Sequence, residues 1–319
     1  MQPVVIKSAL VAVDFSEWTG PVLRAAAELA RLYQASLSAV YAEQFLPPPY
    51  FTEGDIKALV DLLDLQRHSA RQHLEEVVRR EVTYPIRARL VEAYPAEAIL
   101  RTAKEVEAGL LILGTHGRSG LNRLLMGSVA EKVVRQAQVP VLVVKREAPL
   151  AFQRLLCPVN YTAVAMEALR HAVDLASRSG AELVVISVEE TEDQGVRRDH
   201  EAQLRALIPQ PLQDHCRLRP AVRQGEAAEQ ILKMAAEEHS DLLVIGAQHR
   251  PLLEATILGT TSVRVMRHAP CSGLTVGRPD LRLDRRGVAG DLQWSSTAQA
   301  TRRPAPIEKI MPAPGVCYS

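Results

Sequence analysis

One internal duplication constrains this chain more than any other feature. The run LLILG at Leu110–Gly114 returns as LLVIG at Leu242–Gly246, 132 positions further on. The same spacing carries Gly127-Ser128 onto Gly259-Thr260 and Ile99-Leu100 onto Ile231-Leu232. Nearer the start of each copy the spacing is 146. There ALVAVDFS, ending Asp14-Phe15-Ser16, matches RLLCPVNYT, with Asn160 in place of Asp14. Glu43 maps onto Glu189 at that spacing, so the second copy lacks 14 residues between Glu43 and about Leu90, around Pro47-Pro48-Pro49. Two copies of one pattern call for two like units, expected over 1–147 and 151–277 of the 319 residues. The remainder, 278–319, turns to RPAP, MPAPG and scattered arginines without periodicity and reads as a tail.

Within each copy, short apolar runs alternate with helical periodicity. In the first, strands are expected at Ala9–Val13, Ser36–Ala42, Ile86–Val91, Leu110–Leu113 and Val139–Val144. Helices are expected at Pro21–Tyr33, Asp55–Arg80, Pro95–Glu107 and Ser128–Gln136, the second with Leu59, Leu62, Leu63 and Leu74 at core spacing. Near-continuous apolar strands separated by crossover helices predict an α/β fold, with two tandem open parallel-sheet (Rossmann-like) sandwich domains. The closing run VPVLVVK at Val139–Lys145 is an apolar edge that should not stay exposed. Its counterpart CSGLTV is weakened by Gly273.

Composition removes several classes of function. Lys and Arg number 38 against 37 Asp and Glu, a net charge of +1, so the basic footprint of a nucleic-acid or membrane-surface binder is missing. Aromatics are only 4%, too few for a base-stacking platform. No apolar run approaches the ~20 residues that span a bilayer, and the N-terminus lacks the basic region of a signal peptide. Cys157, Cys216, Cys271 and Cys317 form no CxxC pair and no zinc spacing. Reduced thiols in a cytoplasm are the simplest reading. The nine histidines are scattered, with no HExxH.

The chemistry lies after the fourth strand, in LGTHGRSGLNRLLMGSVAEKVV. Gly114, Gly117, Gly127 and Ser128 stand in the spacing G-x2-G-x9-G-S: a strand, a tight turn, a bridge and a helix start. Glycines let backbone N–H groups approach an anion, and a new helix offers unpaired N–H groups and its positive end. Ser128 also fits an N-cap, with Glu131 closing a capping box, so turn-and-cap remains the plain alternative. Asp14 ends the first strand at the same rim, where ligands of open parallel sheets gather. It could accept ribose hydroxyls or serve only as a helix-start acid.

Together, Asp14-Phe15-Ser16 and Gly114-x2-Gly117-x9-Gly127-Ser128 resemble the universal stress protein family, in tandem form over roughly residues 4–277. The resemblance implies a site for ATP, with or without Mg2+. The glycines and Ser128 would hold phosphates, Asp14 the ribose, and backbone near Tyr41 the adenine. Val13 and Val129 adjoin those positions, and Arg118 sits within the loop where it could reach a phosphate. His116 is expected to shape backbone rather than catalyse. It further implies that the closing strands pair inside the chain as a pseudo-dimer, and that whole chains form a homodimer.

The second copy departs from the motif. His249 takes the second glycine's place, Asn160 the acid's, and Pro251 stiffens the loop. A side chain resists the left-handed backbone a glycine adopts, and a neutral amide binds hydroxyls more weakly than a carboxylate. The second copy is therefore expected to be structural. No GxxxxGK[ST], strand-borne GxGxxG, GxSxG, SGGxDS or HxGH occurs. The expected function is an ATP-binding stress-response regulator without catalytic residues. A slow ATPase, a nucleotide-activating enzyme and a ligand-free interaction protein are the alternatives.

Overall fold

A computed structural model describes residues 3–43, 53–115, 126–145, 152–189, 202–204, 206, 217–247, 249–252, 255–258 and 260–277. The first copy builds β1 (Ser8–Val13), α1 (Thr19–Tyr33), β2 (Ser36–Glu43), α2 (Glu53–Glu81) and β3 (Ile86–Glu92). It continues with α3 (Pro95–Glu105), β4 (Leu110–Gly114), α4 (Ser128–Gln136) and β5 (Val141–Val144). The second copy gives β6 (Arg154–Pro158), α5 (Ala163–Ser179), β7 (Glu182–Glu189), β8 (Arg217–Gln224), α6 (Ala227–Glu237) and β9 (Leu242–Gly246). After these come β10 (His249–Leu252), β11 (Ala255–Leu258), α7 (Thr260–His268) and β12 (Ser272–Val276).

Ten of these strands form one sheet in the order β3-β2-β1-β4-β5-β12-β9-β6-β7-β8. Every neighbouring pair is parallel except β5 and β12, which run antiparallel with Leu142 opposite Leu274. Each half is thus an α/β parallel sheet, and the halves meet about a local two-fold axis that crosses that pair. All four residues of β5 are buried, and both of its edges are occupied. A homodimer of whole chains would have to use another surface. Gly273 does not break β12, since all five residues of that strand are buried.

Because the strands are covered on both faces, alternate residues feed two cores that each run through both halves. One core packs β-strand residues such as Val11, Ile112, Leu142, Leu155 and Val244 against α1, α2 and α5. The other packs Leu10, Leu111, Val143, Leu156 and Leu243 with buried side chains of α3, α4, α6 and α7. Side chains also cross the join. Thr275 Oγ1 donates to the Val141 carbonyl at 3.3 Å, and Ser272 Oγ accepts from the Lys145 N–H at 3.1 Å. On the α1 and α5 side, Asp174 accepts from the Val4 N–H at 3.1 Å, and the Arg178 guanidinium lies 4.7 Å from the Tyr33 ring centre.

The helix α2 departs from the expected pattern. Leu74 is fully buried, but Leu62 is 49% exposed, and Leu59 and Leu63 are only half-buried. The helix has 29 residues, about 43 Å at 1.5 Å per residue, while its partner strand β3 has seven. Its N-terminal part therefore overshoots the sheet that would cover it. Cys157 and Cys271 are buried and free, their thiols pushed up by burial, which leaves neither reactive; Cys216 and Cys317 lie outside the described residues.

One shared sheet predicts one cooperative unit. Leu142→Ala, at 1% exposure in β5, should cost about 2–5 kcal/mol while leaving a single urea transition by far-ultraviolet circular dichroism. A variant whose two halves melt in separate steps would contradict the shared core.

Candidate functional site

The chain runs β1, β2, β3 outward to one side and then returns to place β4 on the other side of β1. That reversal opens a crevice at the carboxyl ends of β1 and β4, where open parallel sheets gather ligands. The register sets Val11 beside Ile112, which brings Val13 next to Gly114 two residues later. Tyr41, buried and paired in register with Val13, lies on the adjoining strand β2.

The segment leaving β1 folds into a tight polar turn. Asp14 Oδ1 accepts from the Ser16 N–H at 3.1 Å and from Ser16 Oγ at 2.6 Å. Ser16 Oγ in turn accepts from the Trp18 N–H at 3.3 Å, leading the chain into α1. Short Asp and Ser side chains reach their own backbone in this way, which is why the DFS sequence turns here. The turn drives Phe15 to φ 60°, a left-handed conformation that disfavours a side chain. Its ring is held against Tyr41 at 4.3 Å and His73 at 4.6 Å between centroids. Asp14 therefore holds this turn through Oδ1 rather than capping α1, and Oδ2 carries no described hydrogen bond.

On the β4 side, Thr115 N–H donates to the Val144 carbonyl at 3.1 Å, and the Thr115 carbonyl accepts from the Gly127 N–H at 2.7 Å. The second bond brings the far end of the loop back to the strand from which it left. Gly127, not Ser128, is the N-cap of α4, and among the described residues no side chain caps the helix. Its φ of −64° and ψ of 155° are open to any residue, so the glycine contributes the absence of a side chain rather than a special backbone. Ser128 is the first helical residue and is exposed, as is Val129. The first-turn N–H groups of α4 are thus uncapped by side chains, the arrangement that seats anions.

Glu131 does not close a capping box. With the cap one residue earlier than expected, its carboxylate turns to Arg135 at 2.6 Å and across the join to Arg267 at 3.3 Å. The hydrogen bond from Arg135, with help from Arg267, holds it below the usual carboxylate range against the effect of burial. Two guanidiniums thereby offset an acid that would otherwise repel an anion at this helix end. His116, Gly117 and Arg118 lie outside the described residues. Ser16, named in the sequence only as part of the Asp14-Phe15-Ser16 motif, was given no role there, and Arg267 was not picked out. Ser16 had a signal there, since the second copy repeats the polar pair two residues apart as Asn160 and Thr162.

The second half keeps the turn. Asn160 Oδ1 accepts from Thr162 Oγ1 at 2.7 Å, Tyr161 takes φ 57°, and Thr162 caps α5 through the Ala165 N–H at 3.3 Å. The Phe15 and Tyr41 ring pair becomes a hydrogen bond between Tyr161 and Ser187. A Cβ on Gly246 would stand 2.9 Å from the Val164 carbonyl carbon and oxygen and 3.0 Å from the Ala165 nitrogen. The first turn of α5 therefore lies against the end of β9, and Ser262 Oγ occupies the Gly246 carbonyl at 2.8 Å. Beyond it the chain forms an antiparallel ribbon, β10 with β11, with Pro251 opposite Thr256.

Comparison with known proteins gives one family. The model of the Universal stress protein family matches residues 6–145 and again 151–277. A universal stress protein of Methanocaldococcus jannaschii is 31% identical over 143 residues, 44% of this chain and 82% of that protein. One from Thermus aquaticus is 32% identical over 143 residues, 44% of this chain and 98% of that protein. The crystal structure of a universal stress protein from Archaeoglobus fulgidus superposes with a TM-score of 0.62 at 21% identity, covering 85% of this chain and 98% of that one. At that identity the likeness speaks for the fold.

The packing around Gly246 makes a test. Gly246→Ala must push backbone rather than a flexible side-chain end, so it should destabilise the protein by about 1–3 kcal/mol in urea unfolding. An unchanged midpoint would mean that the second crevice has room to spare.

Proposed function

This chain belongs to the universal stress protein family, and from that premise we propose that its first half binds an adenine nucleotide, ATP, in a regulatory rather than catalytic role. The observation that carries the reading is the bare N-terminus of α4, with Gly127 at its cap, facing the crevice that Asp14 borders. Gly114, Gly117, Gly127 and Ser128 take the phosphates on backbone N–H groups, with Val129 in the same first turn and Arg118 adding a guanidinium. Asp14 offers Oδ2 to the ribose hydroxyls while Oδ1 keeps the turn folded. Val13 and the backbone at Tyr41 border the adenine.

Binding without turnover is supported by the site's donors. Asp14 is committed to its turn and Glu131 to two arginines, so neither is set beside the phosphates as a base. Any Mg2+ would ride on phosphate oxygens, since the described residues hold no cluster of three or more His, Cys, Asp or Glu side chains. The second half serves as scaffold, its crevice taken up by α5 and Ser262. No helix among the described residues is long and apolar enough to cross a membrane, and we place the chain in the cytoplasm as a stress-response protein.

Fluorescent-ATP titration of the intact chain tests this reading. Asp14→Asn keeps an acceptor for Ser16, as Asn160 does for Thr162, but loses the charge. It should weaken binding by about tenfold. Gly127→Val places a side chain where the anion sits and should abolish binding with little loss of stability, since the backbone there suits any residue. Binding unchanged in both variants, or multiple-turnover phosphate release near about 10 per second, would overturn the proposal.

A further inference from the structure

A cleft of about 310 Å³ opens between α1 and α2, lined among the described residues by the segments 15–24 and 73–81. Phe15, Pro21 and Val77 give it apolar wall, and His73 meets the Phe15 ring edge to face at 4.6 Å. The remaining lining is polar and built around one carboxylate. Glu81, its side chain only 19% exposed, takes Arg24 at 2.6 Å through Oε2 and Arg80 at 3.3 Å through Oε1. Gly20 admits that arrangement. A Cβ there would stand 2.8 Å from Glu81 Oε2 and 3.1 Å from the nearer Arg24 nitrogen.

Among the charged groups of the lining, guanidinium N–H donors slightly outnumber carboxylate acceptor sites. Each guanidinium carries five N–H donors and no acceptor, and a carboxylate offers about four lone-pair sites. Glu17 is the one further carboxylate in the lining. The first turn of α1 has no acid of its own and no side-chain cap, which adds the positive end of a 15-residue helix. Thr19, which starts that helix and lines the cleft, is 5% exposed, and its hydroxyl has no hydrogen-bond partner among the described residues.

We propose that this cleft is a second ligand site, separate from the nucleotide crevice, for a small aromatic anion. The ligand's carboxylate or phosphate is held by Arg24 and Arg80, and its ring lies against Phe15 and Val77. The proposal does not depend on the nucleotide reading, because none of the described residues that line the cleft belongs to β4 or α4.

Calorimetric titration of the full chain with phenyl phosphate tests it, with phenol as the neutral control. One molecule should bind per chain with a Kd of about 1 mM or tighter, and phenol should bind at least about tenfold more weakly. Arg80→Gln, at a side chain 72% exposed, keeps the fold and should weaken phenyl phosphate about fivefold or more. Arg24→Gln should weaken it further, with circular dichroism checking that the protein stays folded. Gly127→Val should leave this binding intact even though it closes the nucleotide crevice. Failure to bind, equal affinity for phenol, or indifference to Arg80→Gln overturns the site. Loss of binding in Gly127→Val overturns it too, since the phosphate would then sit on α4.

Discussion

The antiparallel pairing of β5 with β12 is the contact on which the rest of the molecule depends. Val141–Val144 is apolar on both faces, and an unpaired strand of that kind recruits other chains. Its natural counterpart is the equivalent strand of the second copy, and joining them turns two five-stranded sheets into one of ten. Both cores then run through the join, so neither half has a complete interior of its own. Antiparallel pairing also fixes where the two crevices lie. Strands of the two halves point in opposite directions, so the carboxyl ends of β1 and β4 occupy one rim and those of β6 and β9 the opposite rim.

With the scaffold shared, the halves diverge only in local chemistry. Both retain the polar turn after the first strand, down to the left-handed residue between its two polar side chains. What changed is the crevice that the turn borders. In the first half a glycine caps α4, and the acid of that helix is matched by two arginines, one of them from the other half. In the second half, helix backbone comes within contact of Gly246 and a serine hydroxyl takes its carbonyl. The second copy thus reaches the first copy's α4 through Arg267, while its own Gly246 is packed against α5.

Much of this was legible in the residues because it rests on periodicity and repetition. Apolar strand runs and the matched closing strands led to the sheet, and α4 begins and ends where its pattern places it. The boundaries that moved did so for local reasons. Gly127 displaced Ser128 from the cap because its carbonyl accepts the Glu131 N–H and its own N–H returns to Thr115. Leu62 is exposed although its spacing suits a core, because periodicity reports which face is apolar and not how far the partner sheet extends. The Glu131–Arg267 pair spans 136 positions and depends on the two-fold join, so no local pattern could have revealed it. The cleft beside Gly20 was equally hidden, since it arises where α1 meets the far end of α2, with Arg24 57 positions from Glu81.

The central claim is a two-fold scaffold carrying a one-sided nucleotide site, and stoichiometry tests it most directly. Native mass spectrometry of the intact chain titrated with ATP should show a single nucleotide adduct per chain at saturation. Asn160→Asp should leave that number at one, because it restores the charge but not the space beside Gly246, where α5 backbone lies in contact. Two adducts per chain, in either the wild type or the variant, would contradict the account.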